Sequence, residues 1–454
     1  MRSSYSFRAT KIGRNRIDNR FDGRFSNRPN GHVNRMLRSG LRGLRARRAL
    51  PGRCARPTLG ASALAPGATG PGLDASLGGA APREDRKGET MNLLKRLFGR
   101  ADAAPAEAAP DEPLLVNAYA TVRDLPALSF DHALNGRRDL SDPELQPHLD
   151  GFIGYVMGRG DGQMTAHRYH LWRHLQRVRN HVSFAVAASD LPRVEAWALA
   201  ANAVLFLPDG SVRAPDMALL LSAAGETDPA ARLPYPPDAV ARRARTLERL
   251  EDLDPKPPAG MPPALGEAEL ALRPPAEVLR RALALLYIAA WGQAFGAGTT
   301  LREPGQRTLN PIGFAALSPA ERAQIEAADP KDAAAASWRY EAANTLLWAL
   351  GVRAARIADS DATVDVDALW RAVAPLARDA GAADAARLRP PGEILEALDR
   401  AWRAHWVVRQ ARQKGTAPAG LNGDVVAERH VALNWLTGFQ NDRDTPWDAT
   451  DTPT

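Results

Sequence analysis

The residues Leu272–Phe295, LRPPAEVLRRALALLYIAAWGQAF, predict a long buried helix. Two prolines stand at its start, where a helix needs no backbone donor, and Glu277 follows near the positive end of the helix dipole. The run Ala282–Trp291 is entirely apolar but far shorter than the roughly 20 residues of a membrane span, so it indicates a helix inside a protein core. We therefore expect a helical domain built around this segment.

Further helices are predicted on both sides of it by amphipathic periodicity and by start and stop signals. Ser318-Pro319-Ala320-Glu321 is a capping box, and Gly351 is a candidate C-terminal cap. Eight of the ten tryptophans lie at or after Trp291, which predicts a large aromatic core. We assign residues 236–454 to this domain, with helices at Ala239–Leu250, Pro275–Phe295, Asp329–Leu350, Pro391–Gln413 and Asp424–Thr437.

The start of the long helix recurs later in the chain. LRPPAEVL at Leu272–Leu279 becomes LRPPGEIL at Leu388–Leu395. A weaker echo of four residues at equal spacing follows each copy: Arg339, Ala342, Asn344 and Leu346 after the first, and Arg429, Ala432, Asn434 and Leu436 after the second. A duplicated helix pair would explain both echoes. A start signal common to many helices is the simpler interpretation.

Residues 114–225 predict a small α+β module, so the fold class is an α+β N-terminal module followed by a mostly α-helical C-terminal domain. Helices are expected at Met164–Arg179 and at Leu191–Ala203, the latter capped by Asp190. The element order suits a sheet with helices on one face. A proline-rich stretch at 226–237 ends the module. The predicted strands are Leu114–Val122, Gly151–Val156, His181–Ala188, Val204–Leu207 and Ser211–Ala214.

The first 90 residues differ in composition from the remainder. They carry 19 Lys and Arg against 6 Asp and Glu, whereas residues 91–454 carry 40 against 46, so the basicity of the chain belongs to this segment. It has no periodicity and cannot bury enough apolar surface to offset its ordering entropy. Lys87–Thr90 can be encoded by a ribosome-binding sequence just before Met91. We expect residues 1–90 to be disordered and to be upstream DNA translated from a start codon placed too early, with an RNA-binding or targeting arm as the alternative; residues 91–113 are then a linker.

The only cysteine, Cys54, lies in that first segment, so the remaining chain has no thiol nucleophile and no cysteine-bound zinc. No stretch is long and apolar enough to span a bilayer. Because residues 91–454 are acidic, the arginines of the helix at Ala239–Leu250 indicate a solvated face rather than a nucleic-acid site. We expect a cytoplasmic protein that binds neither membranes nor nucleic acid.

Several blocks of the C-terminal half occur in a characteristic order. They are WRYEA at Trp338–Ala342, LLWALG at Leu346–Gly351, LRP with EIL in Leu388–Leu395, HW and Arg409 in His405–Arg409, ERH and ALNW in Glu428–Trp435, and the tail Trp447–Thr452. This order resembles the bacterial domain of unknown function family 4272, over about residues 240–454. The resemblance implies a mostly helical bacterial domain and no assigned activity. Ala449 and Thr450 interrupt the acidic tail, which weakens any role assigned to that end.

Nine polar residues stand in the otherwise apolar helices of this domain. Charges among aromatic residues must be paired or face a cleft. Such a group could act in general acid–base catalysis or bind an anion, or it could simply lock helices together. We expect Glu341 and Glu428 each to contact an arginine of another helix. The candidate cluster is Arg339, Glu341, Arg403, His405, Glu428, Arg429, His430, Asn434 and Asp448, with Arg339, Arg403 and Arg429 as the candidate cationic partners.

The histidines His167, His170 and His174 are a weak candidate metal site, because residues three and four apart share one helical face. We expect them instead to be histidines at the solvent edge beside neighbouring arginines. No metal and no cofactor are predicted.

The function expected from these patterns is that of a non-enzymatic protein that binds a protein partner, with a toxin-neutralising, immunity-like role as one version. The alternative is an enzyme or small-ligand-binding protein that uses the Arg/Glu/His cluster. The sequence contains no G-x-S-x-G, no H-E-x-x-H and no phosphate-binding loop. Whether the cluster converges on an open pocket or pairs off in a closed core distinguishes the two.

Overall fold

The computed structural model describes residues 113–298, 303–354, 357, 361–418 and 420–454. The predictions for residues 1–90, and for the linker up to residue 112, lie outside these ranges. The described chain begins with a sheet module and continues as a set of helices, as the sequence predicts.

The sheet module contains six antiparallel strands in the order β2-β3-β1-β4-β5-β6. Their bounds are β1 Leu114–Ala120, β2 Ala133–Asp139, β3 Asn180–Val186, β4 Ala203–Phe206, β5 Val212–Arg213 and β6 Leu219–Leu221. Three helices belong to the module, α1 Leu145–Met157, α2 Ala166–Leu175 and α3 Leu191–Ala200. Helix α3 covers the face that carries Val116 and Ala118, while α1 and α2 cover the opposite face around Tyr119. The prediction of helices on one face only is therefore wrong.

The predicted strand Gly151–Val156 is also wrong, because these residues lie within α1. Leu145, Leu149, Phe152 and Val156 are buried at spacings of three and four, which is the period of a helix facing the sheet. Strand β2 was not predicted because its exposed edge carries no alternation of apolar residues. Short β6 lacks any polar residue to define a period.

The helical domain contains eleven helices in its described residues. Their bounds are α4 Pro237–Arg249, α5 Pro275–Gly296, α6 Glu303–Leu309, α7 Pro311–Ala315, α8 Pro319–Ala327, α9 Pro330–Ser337, α10 Arg339–Ala349, α11 Val366–Val373, α12 Ala382–Ala385, α13 Pro391–Gln413 and α14 Gly423–Thr437. Helix α5 packs against α7, α9 and α10, which places the segment Leu272–Phe295 at the centre of the core.

The local start and stop signals act as predicted in most places. Ser318 accepts from the backbone of Glu321, whose side chain returns to the Ser318 N–H, so the capping box is present. The helix expected over Asp329–Leu350 is divided in two at Trp338, and Gly351 follows its second part with φ of 72°. Asp190 precedes α3 but makes no side-chain cap.

Two helix pairs of this domain make reciprocal contacts. Helix α10 packs on α5, α14 packs on α13, and α10 and α14 pack on each other. The arginine before α5 clamps the end of α14: the Arg273 N–H donates to Leu436 O (3.1 Å) and its Nε to Trp435 O (2.7 Å), with the guanidinium 4.4 Å from the Trp435 ring. These contacts satisfy carbonyls that the last turn of α14 leaves unpaired.

The arginine before α13 makes the same contacts with the end of α10. The Arg389 N–H donates to Ala349 O (2.8 Å) and its Nε to Trp348 O (2.7 Å), with the guanidinium 5.2 Å from the Trp348 ring. The clamps therefore make Trp348 equivalent to Trp435, a register three residues away from that of the weaker sequence echo. In this register Glu341 matches Glu428, and Gly351 matches Gly438, which has φ of 66°.

The sheet module and the helical domain touch through the segment before α5. Arg177 forms an ion pair with the buried Glu269, and its guanidinium also donates to Ala264 O (3.2 Å). The Arg123 N–H donates to Ala268 O (2.9 Å). None of the helices in the described part of the chain combines the length and apolar character that crossing a membrane requires.

Candidate functional site

The first part of the predicted cluster is a pair of crossed ion pairs between α10 and α14. Arg339 at the start of α10 contacts both carboxylate oxygens of Glu428, at 2.8 and 3.0 Å. Arg429, the next residue of α14, lies 3.6 Å from a carboxylate oxygen of Glu341 on α10. The prediction that each glutamate meets an arginine of another helix is confirmed, with Arg339 and Arg429 as partners.

The Glu341–Arg429 pair also holds the loop between α10 and α11. The Val364 N–H donates to Glu341 Oε1 (2.6 Å), and Arg429 donates to Ile357 O (2.6 Å) and lies 3.7 Å from Asp361. Asp361 in turn pairs with Arg400 of α13 at 3.1 Å. One buried network thus ties three helices to a loop.

Burial dominates the electrostatics of this network. It raises the pKa of Glu341 against the opposing effects of the Val364 N–H and Arg429, and it raises the pKa of Glu428 against Arg339. Burial likewise lowers the pKa of Arg429, which Glu341 and Asp361 oppose. The ion pairs therefore offset the cost of burying these charges without exceeding it.

The space beside the network is very small. A cavity of about 10 Å³ lies between Arg429, Arg400, Asp361 and Ile357, closed by apolar side chains of α13 and α14. That volume is about what a single water molecule requires. The network is a closed core rather than an open pocket.

Arg403 lies apart from these pairs, so its prediction as a partner of either glutamate is wrong. Its fully buried guanidinium makes two bonds to Asp399, one turn earlier on α13, at 2.9 and 3.0 Å, and one to Pro262 O at 2.9 Å. The segment before α5 is thereby fastened to α13.

The two histidines of the cluster bond to each other. His405 of α13 and His430 of α14 have their Nδ1 atoms 2.8 Å apart, and both rings are buried. Burial lowers the pKa of His405 to about 4 and lowers that of His430, so both imidazoles are neutral at pH 7. Asn434, one turn after His430, donates to Asp451 O (2.9 Å) and holds the C-terminal tail.

Asp448 belongs to none of these groups. Its exposed carboxylate accepts from Ser318 Oγ (2.6 Å) and from the Ala320 N–H (3.1 Å) at the start of α8. It therefore acts as a helix cap supplied by the tail. The nine cluster residues thus divide into four separate groups.

The three histidines of α2 do not converge. His170 bonds to Tyr235 Oη (2.6 Å) and to Gly260 O (3.0 Å), while His174 bonds to Tyr119 O (3.2 Å). His174 is only 2% exposed, so its expected place at the solvent edge is wrong. Within the ranges that the structure describes, no group of three or more His, Cys, Asp or Glu is arranged to hold a metal ion.

A buried polar group in the sheet module was not predicted. Tyr119 of β1, His148 of α1 and His181 of β3 are at most 7% exposed, and the two imidazole rings are centred 4.2 Å apart. Tyr119 Oη lies 3.1 Å from His148 Nε2. The three residues are far apart in the sequence, and no local motif links them.

The sequence model of the family described as Domain of unknown function (DUF4272) matches residues 242–450. No curated protein and no solved structure matches the chain. The matched range begins within α4 and includes both helix pairs, the crossed ion pairs and Asp448. The helical part of this chain, residues 242–450, therefore belongs to the DUF4272 family.

Proposed function

We propose that this protein is non-enzymatic and acts in a bacterial cytoplasm by binding a protein partner, in the manner of an immunity protein that neutralises a toxin. The observation that carries the proposal is the closed state of the Arg/Glu/His cluster. Arg339 pairs with Glu428 and Arg429 pairs with Glu341, and the adjoining cavity of about 10 Å³ holds no more than one water.

The neutral histidine pair supports the same proposal. A general acid or base is most effective when its pKa lies near the working pH and its proton can reach a substrate. His405, with a pKa of about 4, directs its Nδ1 at His430 inside the bundle. Its geometry serves helix packing.

The test compares partner binding with small-ligand binding in one set of proteins. The full chain and its Glu341→Gln variant are tagged and purified from their native cells, and any co-purifying protein is produced separately and titrated back by calorimetry. We expect a stoichiometric complex of equal affinity with both proteins, because Glu341 lies inside the core.

The outcome that would overturn the proposal is a small molecule that raises the melting temperature of the full chain but not that of the Glu341→Gln variant. Such a ligand would make the cluster a binding site and favour the enzyme or small-ligand alternative.

A further inference from the structure

The buried group around Tyr119 joins four elements of the sheet module. Tyr119 and Asn117 come from β1, Arg138 from the edge strand β2, His181 from β3 and His148 from α1. The His181 Nε2 lies 3.2 Å from Asn117 Oδ1, and its Nδ1 lies 3.3 Å from an Arg138 guanidinium nitrogen. On the face of the sheet that carries Tyr119, every element except α2 and the short strands β4, β5 and β6 thus contributes a polar side chain to the group.

These contacts assign the tautomer of His181. A guanidinium has donors only, so Arg138 must donate to Nδ1, and the ring proton must lie on Nε2 and be donated to Asn117. Both nitrogens of the neutral ring are therefore satisfied. A second proton on Nδ1 would remove the Arg138 bond and place two cations in contact within a buried site.

Helix α1 depends on the same contacts. His148 packs against His181 with the ring planes inclined by 41° and bonds to Tyr119 Oη, while Phe152, one turn later, stacks on Tyr119 with ring centres 4.1 Å apart. Behind the group, His174 of α2 bonds to Tyr119 O. The carboxylate of Asp142 lies 4.0 Å from Arg138 and is about one-third exposed, so it screens Arg138 only weakly.

We infer that Tyr119, His148 and His181 form an acid-sensitive lock that holds α1 on the sheet while the imidazoles are neutral and releases it when they gain protons. Burial and the charge of Arg138 act together in this direction. They lower the pKa of His148 to about 4 and that of His181 to about 2, with His148 also acting on His181.

Acid opens the lock because the open state binds more protons than the locked state. A released imidazole has a pKa near 6.5, whereas the locked ones stay neutral down to about pH 4, so between these values the open state binds more protons. Each histidine then favours opening by about tenfold per pH unit below 6.5, and the two together by about 100-fold per unit. Above pH 6.5 the lock is insensitive to pH.

Hydrogen–deuterium exchange of the full chain between pH 7.5 and 5 tests the lock, after correction for the intrinsic pH dependence of exchange. We expect the protection of the α1 amides to fall steeply below pH 6.5. In His181→Phe the fall should shrink to about tenfold per unit, because one titrating group remains. His405→Gln, a change in the other buried histidine pair, should leave the α1 profile as it is.

A second variant keeps the test decisive if His181→Phe does not fold. His148→Gln removes the other titrating imidazole at its place on α1, so the fall in α1 protection should again shrink to about tenfold per pH unit. An α1 protection that is constant from pH 7.5 to 5, or an equal pH dependence in wild type and in the variant that folds, would overturn the inference.

Discussion

The two helix pairs of the DUF4272 domain use the same clamp at different depths. Arg273 and Arg389 each bond to a tryptophan carbonyl, to a glutamate one turn later and to one further carbonyl, of Thr445 and of Arg353 respectively. The Arg273 side chain is 10% exposed and that of Arg389 is 20% exposed. Equal local sequence thus produces equal contacts, while the surroundings set how much each contact contributes.

The two crossed ion pairs differ from each other in burial more strongly than the two clamps do. The Glu341 and Arg429 side chains are 3% and 8% exposed, whereas those of Glu428 and Arg339 are 13% and 32% exposed. Water can therefore solvate Arg339 when its partner is removed, but it has little access to Arg429. The deeper pair also carries the loop contact to Val364, so we expect the two halves to respond unequally to equivalent substitutions.

The largest expected effect is that of Glu341→Ala. Removing this carboxylate takes an anionic partner from the buried Arg429 and frees the Val364 N–H, so the free energy of unfolding should fall by about 3 kcal/mol. The matched change Glu428→Ala should cost about 1 kcal/mol, because Arg339 gains solvent. Denaturant unfolding of both variants measures the difference. An unchanged stability in Glu341→Ala would instead favour a functional cleft.

Glu341→Gln separates charge from hydrogen bonding at the same position. The amide oxygen can still accept from Val364, and a neutral group avoids the burial cost that raises the pKa of Glu341. We expect a loss of about 1 kcal/mol, well below that of Glu341→Ala. A loss equal to that of the alanine variant would assign the whole contribution to the charge.

The two arginine clamps should contribute unequally to the free energy of unfolding, and this effect is the next in size. Arg273→Ala should lower the free energy of unfolding by about 2 kcal/mol and Arg389→Ala by about 1 kcal/mol, because the Arg273 side chain is the more deeply buried of the two. Arg→Lys at either site should recover little, since an ammonium group cannot reproduce the planar fork. Chemical denaturation can rank the four variants, and a larger loss at Arg389 would contradict the comparison.

The smallest effect concerns the glycines that end the two equivalent helices. Gly351→Ala and Gly438→Ala each place a Cβ on a residue with positive φ, which costs about 1 kcal/mol. An added Cβ meets no atom within 4 Å at Gly351 and only ordinary contacts of 3.7 Å or more at Gly438. The two melting temperatures should therefore fall by similar amounts, and unequal shifts would indicate that the helix ends are not equivalent.

The helical domain was more predictable than the sheet module for a physical reason. Helix starts such as Pro391 and Ser318 depend on residues within one turn, so a short window of sequence contains the whole signal. The sheet depends on pairing between distant segments. Residues 151–156 therefore read as a strand although they form part of α1, and β2 escaped prediction.

The features of the candidate site likewise differ in whether local sequence predicts them. The need of Glu341 and Glu428 for cationic partners follows from burying a carboxylate among tryptophans, which the sequence already implies. The choice of partner does not follow from it. Arg403 was an equally good candidate until the structure placed Asp399 beside it on α13.

The sequence by itself determined the order of the two parts, the boundaries of the long helices of the second part and the recurrence of LRPP, because each is written in neighbouring residues. Only the tertiary structure decided that Arg339 meets Glu428, 89 residues away, that the two clamps are exchanged between the helix pairs, and that Tyr119, His148 and His181 share one buried site. These contacts arise when whole helices and strands pack, and packing is set by the combined shape and burial of many side chains rather than by any local pattern.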